Sequence, residues 1–112
     1  MRLHAAMIFP PGHLLGQIQR LQQEAARLRA EVVHKTVTID VGAGAVRITV
    51  GGDLRVRHIV IAPHALEDPQ MLEDLLVTGI NKALEAAQEM VEQTLKPLEH
   101  LFPAGVDHLA RL

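Results

Sequence analysis

The sequence predicts an α+β domain in the order α-β-β-β-α, a three-stranded antiparallel sheet covered by helices and followed by a long C-terminal helix. Three observations predict it. Apolar residues between 13 and 32 recur at alternating spacings of four and three, the signature of one helical face. From Thr36 to Ile61 the period falls to two, and glycine clusters at 42–44 and 51–52 divide the stretch into three strands. From Asp68 the helical period returns and holds to Leu98.

The first helix is drawn by Leu14, Ile18, Leu21, Ala25, Leu28 and Val32, a narrow stripe that can seat on a sheet or on a partner helix. Arg20 and Arg27, seven residues apart, fall together on the opposite, solvated side. Arg29 borders the stripe, where its stem can pack while its guanidinium reaches water.

In the first strand Val37, Ile39 and Val41 alternate with Thr36, Thr38 and Asp40. In the second, Val46, Ile48 and Val50 alternate with Ala45, Arg47 and Thr49, so both strands are half-buried. The third is expected over 54–61, with a change of phase between Val56 and Ile59 that places a β-bulge near Arg57–His58. The intervening "GAG" and "GGD" suit antiparallel hairpins, and Gly42, Gly44, Gly51 and Gly52 are expected at turn positions with positive φ.

The second helix opens at Asp68-Pro69, an N-cap followed by proline at the first helical position. Glu73 and Asp74 complement the helix dipole there, which explains the carboxylate cluster of Glu67, Asp68, Glu73 and Asp74 without catalysis. Pro97 is expected to kink or end the helix. Residues 1–12 then read as a flexible N-terminal extension, 13–98 as the single domain and 99–112 as a tail. One helix over 69–96 spans about 40 Å, whereas a compact domain of this length is roughly 35 Å across. Its apolar face therefore outruns its own globule, and a second copy is the expected cover.

Four glycines in "VGAGAVRITVGG" invite comparison with phosphate-binding loops. Strands flank both clusters, however, and Arg47 occupies the place of the third glycine of a dinucleotide fingerprint. The seven histidines include no pair at the helical or strand spacings that aim two imidazoles at one metal. Hydroxyls are confined to Thr36, Thr38, Thr49, Thr78 and Thr94, with no Ser, Tyr or Cys, which leaves little material for a nucleophile triad or a thiolate site. No enzyme activity, cofactor, metal or small-molecule substrate is expected. Nor is a membrane partner, since no apolar run approaches the roughly 20 residues of a bilayer span.

Charge is unevenly distributed. Residues 1–58 carry eight Lys/Arg and four acids, net +4, whereas 59–112 carry three basic residues and nine acids, net −6. A local anion-binding face is compatible with this asymmetry; strong overall attraction to a polyanion is not. The only aromatics, Phe9 and Phe102, give no platform for stacking single-stranded bases.

The "GAG" turn before a Val/Ile strand, the "VGGDLRV" hairpin, and the "EDPQMLEDLL" helix opening followed by Asn81 together resemble the YbaB/EbfC family of bacterial nucleoid-associated proteins, over roughly residues 13–95. That resemblance implies a homodimer in the cytoplasm and nucleoid. It would bind double-stranded DNA through the phosphate backbone with little sequence preference and contribute to chromosome organisation and gene regulation. Carried onto this chain, the family's basic first helix and neighbouring strands correspond to Arg20, Arg27, Arg29, Lys35, Arg47, Arg55 and Arg57. This chain departs from the family in a first helix built from Gln, Leu and Arg rather than Lys and Met, in its acidic C-terminal half and in its tail. The alternative is a dimeric interaction or scaffold protein whose basic face serves solubility.

Overall fold

The computed structural model describes residues 12–101. Of the expected extension over residues 1–12 and tail over 99–112, residues 1–11 and 102–112 lie outside the described residues, whereas Gly12 opens the first helix and residues 99–101 continue the last one. Helix α1 spans Gly12–His34, strands β1, β2 and β3 span Thr36–Val41, Val46–Gly51 and Val56–Ile61, a 3-10 turn covers Pro63–Glu67, and helix α2 runs Pro69–Leu101. The α-β-β-β-α order is thus as the periodicity predicts.

The sheet is antiparallel in the order β1-β2-β3. Val46, Ile48 and Val50 of the central strand are fully buried on the face that meets α2. Gly79 of α2 lies against Ile48 and Val41, and Ala83 and Ala87 are fully buried, so small residues on one face let the helix lie close to the strands. Thr36, Thr38, Asp40 and Arg47 alternate to the other face and are exposed. There the Thr38 and Thr49 hydroxyls share a hydrogen bond of 2.9 Å across the strands. The expected bulge is present: Thr49 pairs with His58 and Val50 with Val56, which leaves Arg57 as the extra residue.

Only the C-terminal half of the α1 stripe is buried: Ala25 and Leu28 pack against α2 and Val32 against the β2–β3 hairpin at Gly52, while Leu14 and Ile18 remain exposed. Ala25 and Leu28 form a second small core with Leu95 and Leu98, separate from the sheet core, so the far end of the apolar face of α2 is covered by the chain's own α1 and not, as expected, by a second copy. Because the two helices run on past the sheet, the molecule measures 81 × 20 × 17 Å, with a radius of gyration of 21.8 Å. A compact chain of this length would have a value of about 13 Å.

Three further expectations are corrected. Of the kink or end expected at Pro97, the end does not occur: α2 continues to Leu101, the buried Leu98 just beyond the proline anchoring the next turn against the lost bond to the Gln93 carbonyl and the ring's clash with the preceding turn. β3 begins at Val56 rather than Leu54, because Leu54 takes φ 61° and closes the hairpin by donating its N–H to the Gly51 carbonyl at 2.9 Å. Positive φ occurs at Gly42 (66°) and Gly44 (88°), with Ala43 between them at 54°, but not at Gly51 or Gly52. Gly52 is required for space instead. A Cβ there would collide with the Val32 carbonyl oxygen, where the hairpin presses on the end of α1.

Asp68 caps α2 as expected: its Oδ1 accepts the Met71 N–H at 3.1 Å, while its carbonyl accepts the first helical bond from Leu72.

Candidate nucleic-acid interface

All seven candidate cations are exposed, but they do not form one cluster. Arg20 and Arg27 share one side of α1 and Arg29 flanks the other edge of its stripe. Lys35, Arg55 and Arg57 gather where α1 ends against the β2–β3 hairpin: the Gly52 N–H bonds the Lys35 carbonyl at 2.9 Å, and Arg57 Nη2 donates to the Val33 carbonyl at 3.4 Å. Arg47 stands apart. It pairs with Asp40 near the opposite end of the sheet, roughly 13 Å along β2 from Gly51 at about 3.3 Å per residue.

Four of the seven are already engaged with carboxylates. Arg27 grips Glu24 through two bonds, Nη2 to Oε1 at 2.6 Å and Nε to Oε2 at 3.1 Å, and reaches Glu31 Oε2 at 3.4 Å. Lys35 Nζ approaches Glu31 Oε1 at 3.4 Å and donates to Thr94 Oγ1 at 3.2 Å. The Thr94 hydroxyl is buried and donates in turn to the Met90 carbonyl at 2.8 Å. Lys35 therefore ties the end of α1 to α2 as well as carrying charge. Arg47 Nε meets Asp40 Oδ1 at 2.8 Å, and Arg57 Nη2 meets Asp53 Oδ2 at 2.9 Å. Among the described residues, Arg20, Arg29 and Arg55 have no such ion pair.

The electrostatics follow these contacts. The hydrogen bond from Arg27 holds the Glu24 carboxyl below the usual carboxylate range, and Glu24 in return raises the Arg27 guanidinium above its ordinary value. The hydrogen bond to Asp40 raises Arg47 likewise. Desolvation opposes ionisation of Asp53, but the Arg55 backbone N–H and the Arg57 guanidinium together outweigh it and keep its carboxyl low.

Reading the basic residues alone missed these acids. The signal was present in Glu24, Arg27, Glu31 and Lys35, whose spacings of three, four and four place opposite charges side by side on a helix. The Asp40–Arg47 pair needed the strand register as well.

Exposed aliphatic side chains fall in several places: Leu14, Leu15, Ile18 and Val33 on α1, Leu54 in the hairpin, Val56 and Val60 on edge strand β3, Leu66 in the turn after it, and Met71 and Val77 on the first half of α2. Among the described residues no group of three His, Asp or Glu is placed to hold a metal ion, and no helix is long and apolar enough to cross a membrane.

A model of the YbaB/EbfC DNA-binding family matches residues 10–101. The chain is 37% identical over 84 residues to a nucleoid-associated protein of Pelotomaculum thermopropionicum, a match covering 73% of this chain and 80% of that one. It is 36% identical over 81 residues to a nucleoid-associated protein of Acetivibrio thermocellus, covering 70% and 72% of the two chains. Among solved structures, an uncharacterized protein of Helicobacter pylori superposes with a TM-score of 0.65 at 19% identity, covering 80% of this chain and 97% of that one. At that identity the likeness concerns the fold alone.

Proposed function

The chain belongs to the YbaB/EbfC DNA-binding family, and on that premise we propose that it is a homodimeric nucleoid protein of the cytoplasm, a binding protein rather than an enzyme. It grips duplex DNA through the phosphate backbone with little regard to sequence and so helps to organise the chromosome. Arg20, Arg27, Arg29, Lys35, Arg47, Arg55 and Arg57 are the proposed contacts, Arg being suited to bidentate contact with phosphate. The domain that does this is residues 13–98.

The observation that carries the reading is the set of exposed guanidinium groups on and beside α1, in the half of the chain with net charge +4, within the segment matched to a DNA-binding family. Among the described residues no two α-helices are joined by a short turn, as a helix-turn-helix would require, so backbone contact is the mode these residues support. The dimer is supported by the exposed aliphatic residues on and around β3, since an open apolar strand edge is a surface that soluble proteins cover.

Titration of duplex DNA at two salt concentrations tests the reading, alongside sedimentation of the protein alone. Binding is expected near micromolar at physiological salt, to weaken steeply as salt rises, and to be similar for unrelated sequences. Arg20→Ala with Arg27→Ala should lower affinity for every duplex and flatten the salt dependence, with folding and dimerisation intact. Sedimentation should give twice the 12.3 kDa chain mass. Absence of binding at about 50 mM salt, where phosphate contacts are strong, would leave the scaffold role instead.

A further inference from the structure

All four acids of the basic half, Glu24, Glu31, Asp40 and Asp53, lie against candidate DNA contacts, at Arg27, Arg27 and Lys35, Arg47, and Arg57 respectively. None is left over. We propose that these carboxylates are built-in competitors of the DNA phosphate, and that Glu24, through its two-bond grip on Arg27, is the residue that holds the first helix below its full affinity. The inference rests on the phosphate-binding role proposed for α1 and assigns its attenuation to a named side chain.

The geometry supports competition rather than support of the arginine. A guanidinium presents a rigid fork of donors, and its strongest planar match is the pair of oxygens on a carboxylate or a phosphate. Glu24 takes Nη2 and Nε, the fork edge best suited to bidentate phosphate contact, and Glu31 takes Nη1. A phosphate arriving at Arg27 must therefore displace a carboxylate oxygen or accept a poorer geometry. It must also approach a carboxylate already on the same surface, and like charges at that distance repel. Arg20, about two turns toward the N-terminus on the same side, carries no such partner among the described residues, so the two arginines are expected to contribute unequally.

The pairs are solvent-exposed and hence weak. Arg27 is 61% exposed and Glu24 39%. Such a contact attenuates binding without abolishing it, because exposed ion pairs are worth little and exchange readily. It also alters the salt response. Salt screens the internal pair along with the external contact, so each paired arginine contributes less to the salt slope than an unpaired one.

The test is a cycle of four full-length proteins: parent, Glu24→Gln, Arg27→Ala and the double variant, each titrated with the same 30-base-pair duplex at low and intermediate salt. Glu24→Gln keeps the size of the side chain on an exposed surface, and far-UV circular dichroism verifies the fold. Glu89→Gln on α2, which brings the same charge change where no candidate contact lies beside it, is the control. Glu24→Gln is expected to tighten binding about two- to fivefold and to steepen the salt slope, more than Glu89→Gln does. In the Arg27→Ala background the same change should give no more than the control gain. Equal gains with and without Arg27, or no gain beyond the control, would overturn the competitor role while leaving DNA binding in place. Failure of the parent and every variant to bind at low salt would overturn the phosphate-binding reading itself and this inference with it.

Discussion

Leu54 sits at φ 61° with its side chain 42% exposed, a backbone conformation that favours Gly or Asn. Replacing it by Asn should raise stability by about 1 kcal/mol, read from the midpoint of urea unfolding; an unchanged or lower midpoint would mean that Leu54 gains from packing what it loses in strain. Two residues away, Gly52→Ala should cost about 3 kcal/mol, because the new methyl group drives the hairpin off the Val32 carbonyl in a tightly packed seam. The same hairpin and helix carry the two depressed carboxyls. A carboxyl whose folded pKa lies below its unfolded value stabilises the protein above the ordinary range near 4 and loses that contribution as pH falls through the folded value. Glu24 and Asp53 both behave in this sense. Glu24→Gln should therefore melt below the parent at neutral pH, and the gap should close on acidification through the carboxylate range. A gap that stays constant from neutral pH to pH 3 would assign the difference to packing rather than to charge.

At the level of elements, Pro97 is the clearest case of tertiary context overriding a local rule. The helix passes through it and buries Leu98 in the next turn, so Pro97→Ala restores one N–H and removes the clash with the preceding turn. Stability should rise by about 1–3 kcal/mol, measured by thermal melting; a loss would mean that proline sets a bend on which the Leu95–Leu98 contact with α1 depends. What the sequence made legible here were features written in period and capping: both helices, all three strands, the bulge at Arg57 and the Asp68 cap. These depend on residues close along the chain. The shortened start of β3 and the crowding at Gly52 were not legible, since each arises where the hairpin meets the end of α1, a packing between segments that no local pattern records. The interface fared similarly. The identities and exposure of the seven cations could be read, but how many were already paired depended partly on register, as Asp40 and Arg47 show.

On the scale of the whole molecule, an 81 Å length in a chain of 112 residues follows from two separate cores threaded by one helix. The sheet core holds three fully buried β2 side chains and the small residues of α2. The second holds only Ala25, Leu28 and Leu98, with Leu95 packed beside them. Buried apolar area sets how often a region opens, so the two cores should open independently and at different free energies. Amide hydrogen exchange on the intact protein reads this directly. The amides of Val46, Ile48 and Val50 should exchange last, those of α1 between Gly12 and Leu21 first, and those of α2 should divide into a slow segment beside the sheet and a faster one around Leu95. Uniform protection along α2 would mean a single cooperative unit. With the expected gradient, the arm that bears Arg20 unfolds and refolds many times within one lifetime of the sheet, so the charged surface it carries is renewed locally while the central strands stay paired.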